Sequence, residues 1–347
     1  MTDDSRIAIL DAFRSLRSSS PATPAIILAE RLGISEGALQ AARLGEDVVT
    51  INLSPQALAA RFASLGRVKA LTRSRHAVLE QKGGYPHLQG GDHAGLMLDP
   101  GGLDLRLLFN HWYWACLIRD ALPEGERFSL QVFDRYGRAV HKVFNLSATA
   151  PGTWQALWDE GTTEHPEFVG QAKPDAVAAP TQAPAGLADD WASLSDVHQF
   201  FGLLRQYQLT RHQANTLMEG RFTRAVAKDS VEQLLTEAAD CGQSIMLFVG
   251  SPGCVQIRTG TVPKPVRARG WLNLFAEDTT LHLDDAAIKS IWEVHKPNRD
   301  GGVTSLEAFD AQGELILQIY GERREGNTES SDWRMLLARL GHSHQAA

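Results

Sequence analysis

A histidine followed closely by two aromatics, together with a set of donors near a late strand, forms the part of this chain best suited to chemistry. His198 lies in Asp196-Val-His-Gln-Phe-Phe201, beside Phe200 and Phe201. A neutral imidazole in that setting can ligate a metal centre through one ring nitrogen, or it can be a hydrogen-bonded core histidine. Lys296, Gln318, Tyr320 and Arg323 supply ammonium, amide, hydroxyl and guanidinium donors, which together can hold an anion. Taken one at a time, each also reads as ordinary solvated surface. Arg106, in Asp104-Leu-Arg-Leu-Leu-Phe-Asn-His-Trp112, can donate hydrogen bonds and stabilise developing negative charge but cannot act as a general base. Its competing role is an ion pair with Asp104.

These residues stand out because the chain contains an internal standard. Residues 56–145 recur as 232–321 at a constant offset of 176, without a gap. Ser129-Leu-Gln-Val-Phe-Asp-Arg-Tyr-Gly137 matches Ser305-Leu-Glu-Ala-Phe-Asp-Ala-Gln-Gly313 at five of nine positions. A repeat of that size is a domain rather than a solenoid unit, so the chain is a tandem duplication. Packing alone would keep the copies alike, which makes their differences the place to look for function. At the same offset Arg106 stands opposite His282, Lys296 opposite Asp120, Gln318 opposite Lys142, Tyr320 opposite Phe144 and Arg323 opposite Ser147. His198 has no histidine counterpart near Ala22 or Thr23.

The elements that must position these groups can be read from the pattern. Residues 1–171 form an N-terminal repeat, 172–188 an Ala/Pro-rich tether and 189–347 a C-terminal repeat carrying the His198 helix. Apolar residues at 191, 194, 197, 201 and 204 predict one helix after the tether. Helices are also expected over 7–17, 24–32, 36–43 and 211–219, with 196–207 belonging to the stretch just named. Phe128–Phe133 and Ala139–Phe144, and their partners Thr304–Phe309 and Leu315–Tyr320, are separated by Asp-Xaa-Xaa-Gly turns and read as antiparallel hairpins. Helices followed by strands, without βαβ alternation, give α+β with large antiparallel sheets.

Other classes are disfavoured. With 34 Lys+Arg against 41 Asp+Glu, the net charge of -7 argues against a general polyanion binder while allowing a local basic pocket. Leu28–Arg43 has helix-turn-helix spacing, but its second helix carries one cation and one acid, too little to hold phosphates, so nucleic acid is not the expected partner. Cys116, Cys241 and Cys254 have neither disulfide-framework nor zinc spacing, which suits a reducing compartment. No stretch approaches the ~18 apolar residues of a membrane span, and a cytoplasmic protein without membrane insertion is expected. His342 and His344 form a short His-Xaa-His near the C-terminus, expected to lie in a mobile tail. His111, His141 and His295 are expected to be structural or surface residues.

Taken together, Asp104–Trp112, Asp196–Phe201, His295-Lys-Pro297 and Gln318-Ile-Tyr-Gly-Glu-Arg323 resemble the haemin-degrading factor family, the duplicated HemS/ChuS-type proteins of bacterial haem uptake. The resemblance spans nearly the whole chain. It implies a duplicated HemS/ChuX-like α+β fold, haem b as ligand or substrate, His198 as the axial ligand of the iron, and Arg106, from the first copy, on the opposite face. It further implies that Lys296, Gln318, Tyr320 and Arg323 hold the polar groups of the haem, with Phe200 and Phe201 supplying an aromatic slot. The implied function is haem trafficking for iron acquisition; a non-classical haem oxygenase is the alternative, and a DNA-binding regulator a remote one. Partners would be a haem importer and a downstream haem oxygenase or a reductase. The absence of a Gly-rich dinucleotide fingerprint means that electrons for ring opening would come from a separate donor or from a reductant bound in another way.

Overall fold

The computed structural model describes residues 3–20, 23–122, 125–146, 150–170, 180–323 and 326–341. His342, His344 and residues 172–179 of the tether lie outside the described residues, whereas Leu187 and Ala188, counted with the tether, open a helix. The chain forms two compact units, one of Met1–Arg73, Glu80–Pro174 and Ser251–Gln256, the other of Ser74–Leu79, Asp175–Gly250 and Ile257–Ala347.

In the first unit Val48–Thr50, Trp114–Leu122, Gly125–Phe133, Ala139–Asn145 and Val68–Arg73 pair in that order, each antiparallel to the next. Gln89–Gly90, Ala94–Met97 and Asp104–Leu108 form a short antiparallel meander. The second unit repeats both motifs with Thr223–Val226, Ser290–Lys296, Val303–Phe309, Leu315–Gly321 and Ile245–Gly250, and with Val266–Ala268, Trp271–Phe275 and Thr279–Leu283. The fold is α+β and duplicated.

The hairpin turns show how local chemistry sets register. Asp134 Oδ1 accepts from the amides of Tyr136 and Arg138, both at 2.9 Å, and Gly137 takes φ 74°, where a Cβ would be strained. Asp310 Oδ1 likewise accepts from Gln312 and Glu314 at 2.9 Å, and Gly313 takes φ 77°. Both hairpins shift register at equivalent places, between Val132 and Phe133 and between Ala308 and Phe309. A bulge repeated at offset 176 is inherited geometry rather than accident.

The alternation read from the sequence places one face of each sheet on a core. In the second unit Leu234, Leu235, Leu247, Leu306, Ile319 and Trp333 pack together. A smaller cluster joins Trp191, Phe200, Leu203, Trp292, Val294 and Phe309, seating the helix Gln199–Gln206 on that unit.

One expectation fails locally. The single helix predicted from residue 191 onward is two, Leu187–Ala192 and Gln199–Gln206. Side chains interrupt it: Gln199 Oε1 accepts from the amides of Ser195 at 2.9 Å and Asp196 at 3.2 Å, while Asp196 Oδ1 accepts from the amide of His198 at 2.7 Å. These bonds satisfy the amides ahead of the second helix, and short polar side chains compete with helical continuation in this way. The hairpin of Ala25–Arg31 and Glu36–Ala42 forms as expected, its second helix capped by Ser35.

Candidate functional site

His198 sits at the N-cap of Gln199–Gln206 rather than inside a helix. Its side chain is 83% exposed, and Nδ1 lies 2.7 Å from Asp196 Oδ1. The amide of His198, and then its ring, hold the Asp196 carboxyl below the usual carboxylate range. An ionised carboxylate only accepts, so the proton belongs on Nδ1 and the lone pair of a neutral ring on Nε2, which makes no hydrogen bond among the described residues. A carboxylate fixing the tautomer in this way is the usual support of a metal-ligating imidazole.

The two aromatics divide. Phe200 is buried against Trp191, ring centroids 4.7 Å apart, whereas Phe201 is 59% exposed. Beneath them lies a residue to which the sequence reading gave no role. The Arg211 guanidinium lies 5.0 Å from the Phe200 ring centroid and 5.3 Å from that of Phe201, while its Nη1 donates to Glu307 Oε1 at 3.0 Å.

Glu307 organises the donor set. Its Oε1 accepts from Lys296 Nζ at 2.7 Å, Gln318 Nε2 at 2.8 Å and Ser305 Oγ at 3.1 Å, and its Oε2 from Asn215 Nδ2 at 3.1 Å. The Lys296 side chain is 3% exposed and that of Glu307 0%, so the pair is a buried charge cluster and not solvated surface. Burial alone would raise the Glu307 carboxyl, but the charges of Lys296 and Arg211 outweigh it and bring it to about 2. Gln318 Nε2 also donates to the Tyr320 hydroxyl at 3.1 Å, and Lys296 Nζ stands 5.0 Å from the Phe200 ring. Lys296, Gln318, Tyr320 and Phe200 are thus brought together.

Arg323 joins from the other side. It interacts with the Asp196 carboxylate that holds His198, and its Nη1 is buried with no hydrogen bond among the described residues, Asp300 Oδ2 lying 3.7 Å away. A buried guanidinium nitrogen without an acceptor suits a ligand carboxylate. Arg106, in the first unit, donates to Asp104 Oδ1 and to the Leu105 carbonyl. Burial raises the Asp104 carboxyl and the Arg106 hydrogen bond opposes it. Of the remaining histidines, His141 is buried between Tyr85 and Thr72, His295 is partly buried against Thr304 and His111 is exposed.

Arg211 and Glu307 were missed although the copies differ at both: Arg211 opens the helix capped by Thr210 where Glu36 opens the one capped by Ser35, and Glu307 stands opposite Gln131. The first copy handles its buried charges otherwise, with Lys142 on Glu36 and Arg43 on Asp120.

A duplicated α+β chain in which only the second copy presents a carboxylate-held imidazole beside an exposed ring and a rim of donors defines a class, a two-copy protein with one specialised ligand site. The sequence matches the haemin-degrading HemS.ChuX domain over residues 33–160 and 208–340, and the chain belongs to that family. It is 39% identical over 344 residues to the hemin transport protein HemS of Yersinia enterocolitica, covering 98% of this chain and 99% of that protein. Among solved structures it resembles the Escherichia coli O157:H7 heme-degrading enzyme ChuS, with TM-score 0.90 and 35% identity over 97% of this chain and 99% of that one. It also resembles holo-PhuS, a heme-binding protein of Pseudomonas aeruginosa, with TM-score 0.89 and 34% identity over 97% and 99%.

Proposed function

We propose that this protein binds haem through His198 and serves haem uptake, carrying haem and opening its ring when a reductant and dioxygen are supplied. The observation that carries the reading is the exposed imidazole with Nδ1 committed to Asp196 and Nε2 free. A lone imidazole holds an ion well only when that ion brings other ligands, as porphyrin-bound iron does. Phe201 offers an exposed apolar face, and the orphaned Arg323 nitrogen and the Tyr320 hydroxyl offer polar contacts for propionates. Lys296 and Gln318 act at one remove, because both are committed to Glu307. With Arg211 they stiffen the wall on which the His198 helix rests.

Haem is cargo in this reading and, in the enzymatic one, substrate; bound iron would supply the redox chemistry of ring opening. The chain's own contribution would be to hold the iron through His198 and to bind the propionates, and Arg106 would supply a hydrogen-bond donor to negative charge that develops during ring opening. The reductant would come from a separate protein, and haem from an importer. We place the protein in the cytoplasm, in keeping with its three unpaired cysteines, Cys116 and Cys254 buried and Cys241 exposed. No helix among the described residues is long and apolar enough to cross a membrane.

Haemin titration followed by turnover tests both parts. The binding reading requires a sharp Soret band that saturates at one haem per chain. The degradation reading requires Soret loss with reductant and oxygen in the presence of catalase, with a defined tetrapyrrole product. Loss that stops when catalase is added is free-peroxide bleaching, and it would leave the carrier role alone.

A further inference from the structure

We infer that the second unit carries another ligand site, independent of the haem reading, for a small oxyanion bearing a hydroxyl group. Arg75, His76, Lys228, Lys289 and Asp310 line a cavity of about 350 Å³. Charge is the first argument. Of the lysines among the described residues, Lys69, Lys142, Lys264 and Lys296 are paired with acids, and Lys82 has a partner. The ammonium groups of Lys228 and Lys289 alone have no ion pair or hydrogen bond among the described residues, and both residues stand on this cavity. In a chain of net charge -7, two uncompensated ammonium groups beside Arg75 on one concave wall favour an anion.

Asp310 supplies the second argument. Its Oδ1 is used by the hairpin turn, while its Oδ2 is buried without a hydrogen-bond partner among the described residues. His76 Nε2 lies 3.8 Å from that oxygen, too far for a hydrogen bond, and His76 Nδ1 is held by Asp284 at 3.1 Å. A ligand hydroxyl can donate to Asp310 Oδ2, and it can accept from His76 Nε2 when the ring is protonated on both nitrogens, Nδ1 being committed to Asp284.

Comparison of the copies shows that the orphaned oxygen is particular to the second. The equivalent Asp134 has its Oδ2 satisfied by Arg138 Nε at 2.7 Å. At offset 176 that arginine is replaced by Glu314, which removes the donor. At that offset Lys289 stands opposite Tyr113, and Arg75 and His76, which the first repeat contributes to the second unit, stand opposite Ser251 and Pro252, so none of these three basic side chains has a basic counterpart.

Calorimetric titration of the full chain at low ionic strength, where charge attraction is least screened, tests the site with inorganic phosphate, glycerol 3-phosphate and glycerate. Phosphate is expected to bind, and the preferred hydroxyl-bearing probe to bind roughly tenfold more tightly, the gain of about one hydrogen bond. The tighter of glycerol 3-phosphate and glycerate identifies the charged group. Lys228→Ala with Lys289→Ala should weaken every probe by about tenfold or more. Glu314→Arg, which restores the first copy's pairing and so should fold, is expected to abolish the preference for the hydroxyl while sparing phosphate. Absence of saturable binding, equal affinity for phosphate and both hydroxyl-bearing probes, or a double lysine variant that binds like wild type would each overturn the inference.

Discussion

Replacing Glu307 by Gln keeps the size and one accepting oxygen but removes the charge that Lys296 and Arg211 share. Those two cations would then face a neutral amide in a region where the glutamate was fully buried. Leaving buried charge uncompensated costs about 3–5 kcal/mol, so the variant should be less stable by that amount at neutral pH. An independent magnitude comes from titration. The carboxyl drops from 4.5 to about 2 on folding, which corresponds to about 3 kcal/mol of stability. Because the folded value lies below the unfolded one, that stability is complete above about pH 5 and is lost as pH falls toward 2. Between pH 6 and pH 3 about 2 kcal/mol of it should disappear from the wild type and none from the glutamine variant. Urea unfolding followed by the fluorescence of Trp191, Trp292 and Trp333, all buried in the second unit, reads the gap between the two proteins. The gap should narrow with acid. One that stays constant from pH 6 to pH 3 would show that Glu307 is not held ionised by its neighbours.

Burial pushes His141 down to about 3, so its ring should remain neutral from pH 5 to 8 by NMR, and stability from this residue should fall as pH drops from about 6.5 toward 3; a midpoint near 6 would contradict its enclosure by Tyr85 and Thr72. Arg323→Ala and Tyr320→Phe should each raise the haem dissociation constant without changing the ligation spectrum, Arg323→Ala by an amount equivalent to about 1.5–3 kcal/mol. Repeating those titrations with the propionate diester should abolish the differences, and equal losses with both ligands would show that the pair does not read carboxylates. Arg106→Ala should keep most haem affinity while slowing catalase-resistant degradation by about 100-fold, as removal of a preorganised donor does; wild-type turnover in that variant would remove Arg106 from the chemistry.

Hairpins were the most legible part of the fold. Thr304–Phe309 and Leu315–Tyr320 were expected and Val303–Phe309 and Leu315–Gly321 are observed, because an Asp-Xaa-Xaa-Gly turn carries its hydrogen bonds within a few residues. The break between Ala192 and Gln199 was not legible from apolar spacing, since Asp196 and Gln199 end one helix and start the next through bonds that periodicity does not register. Comparing copies marked Lys296, Gln318 and Tyr320 as special, but their joint attachment to Glu307 depends on pairing between Ser290–Lys296, Val303–Phe309 and Leu315–Gly321. The side chains converge only once those strands are in register. Phe200 and Phe201 looked equivalent in sequence; adjacent positions on a helix face different directions, so one enters the core and the other faces out.

The absorption spectrum of haemin bound to wild type and to His198→Ala tests the central claim most directly. Wild type should give a sharp Soret band saturating at one haem per chain. His198→Ala should shift the Soret and charge-transfer bands and bind more weakly, whereas His111→Ala and His295→Ala should leave the spectrum unchanged. If His198→Ala keeps the wild-type bands and affinity, the imidazole held by Asp196 is not the iron ligand, and the account of this site is wrong.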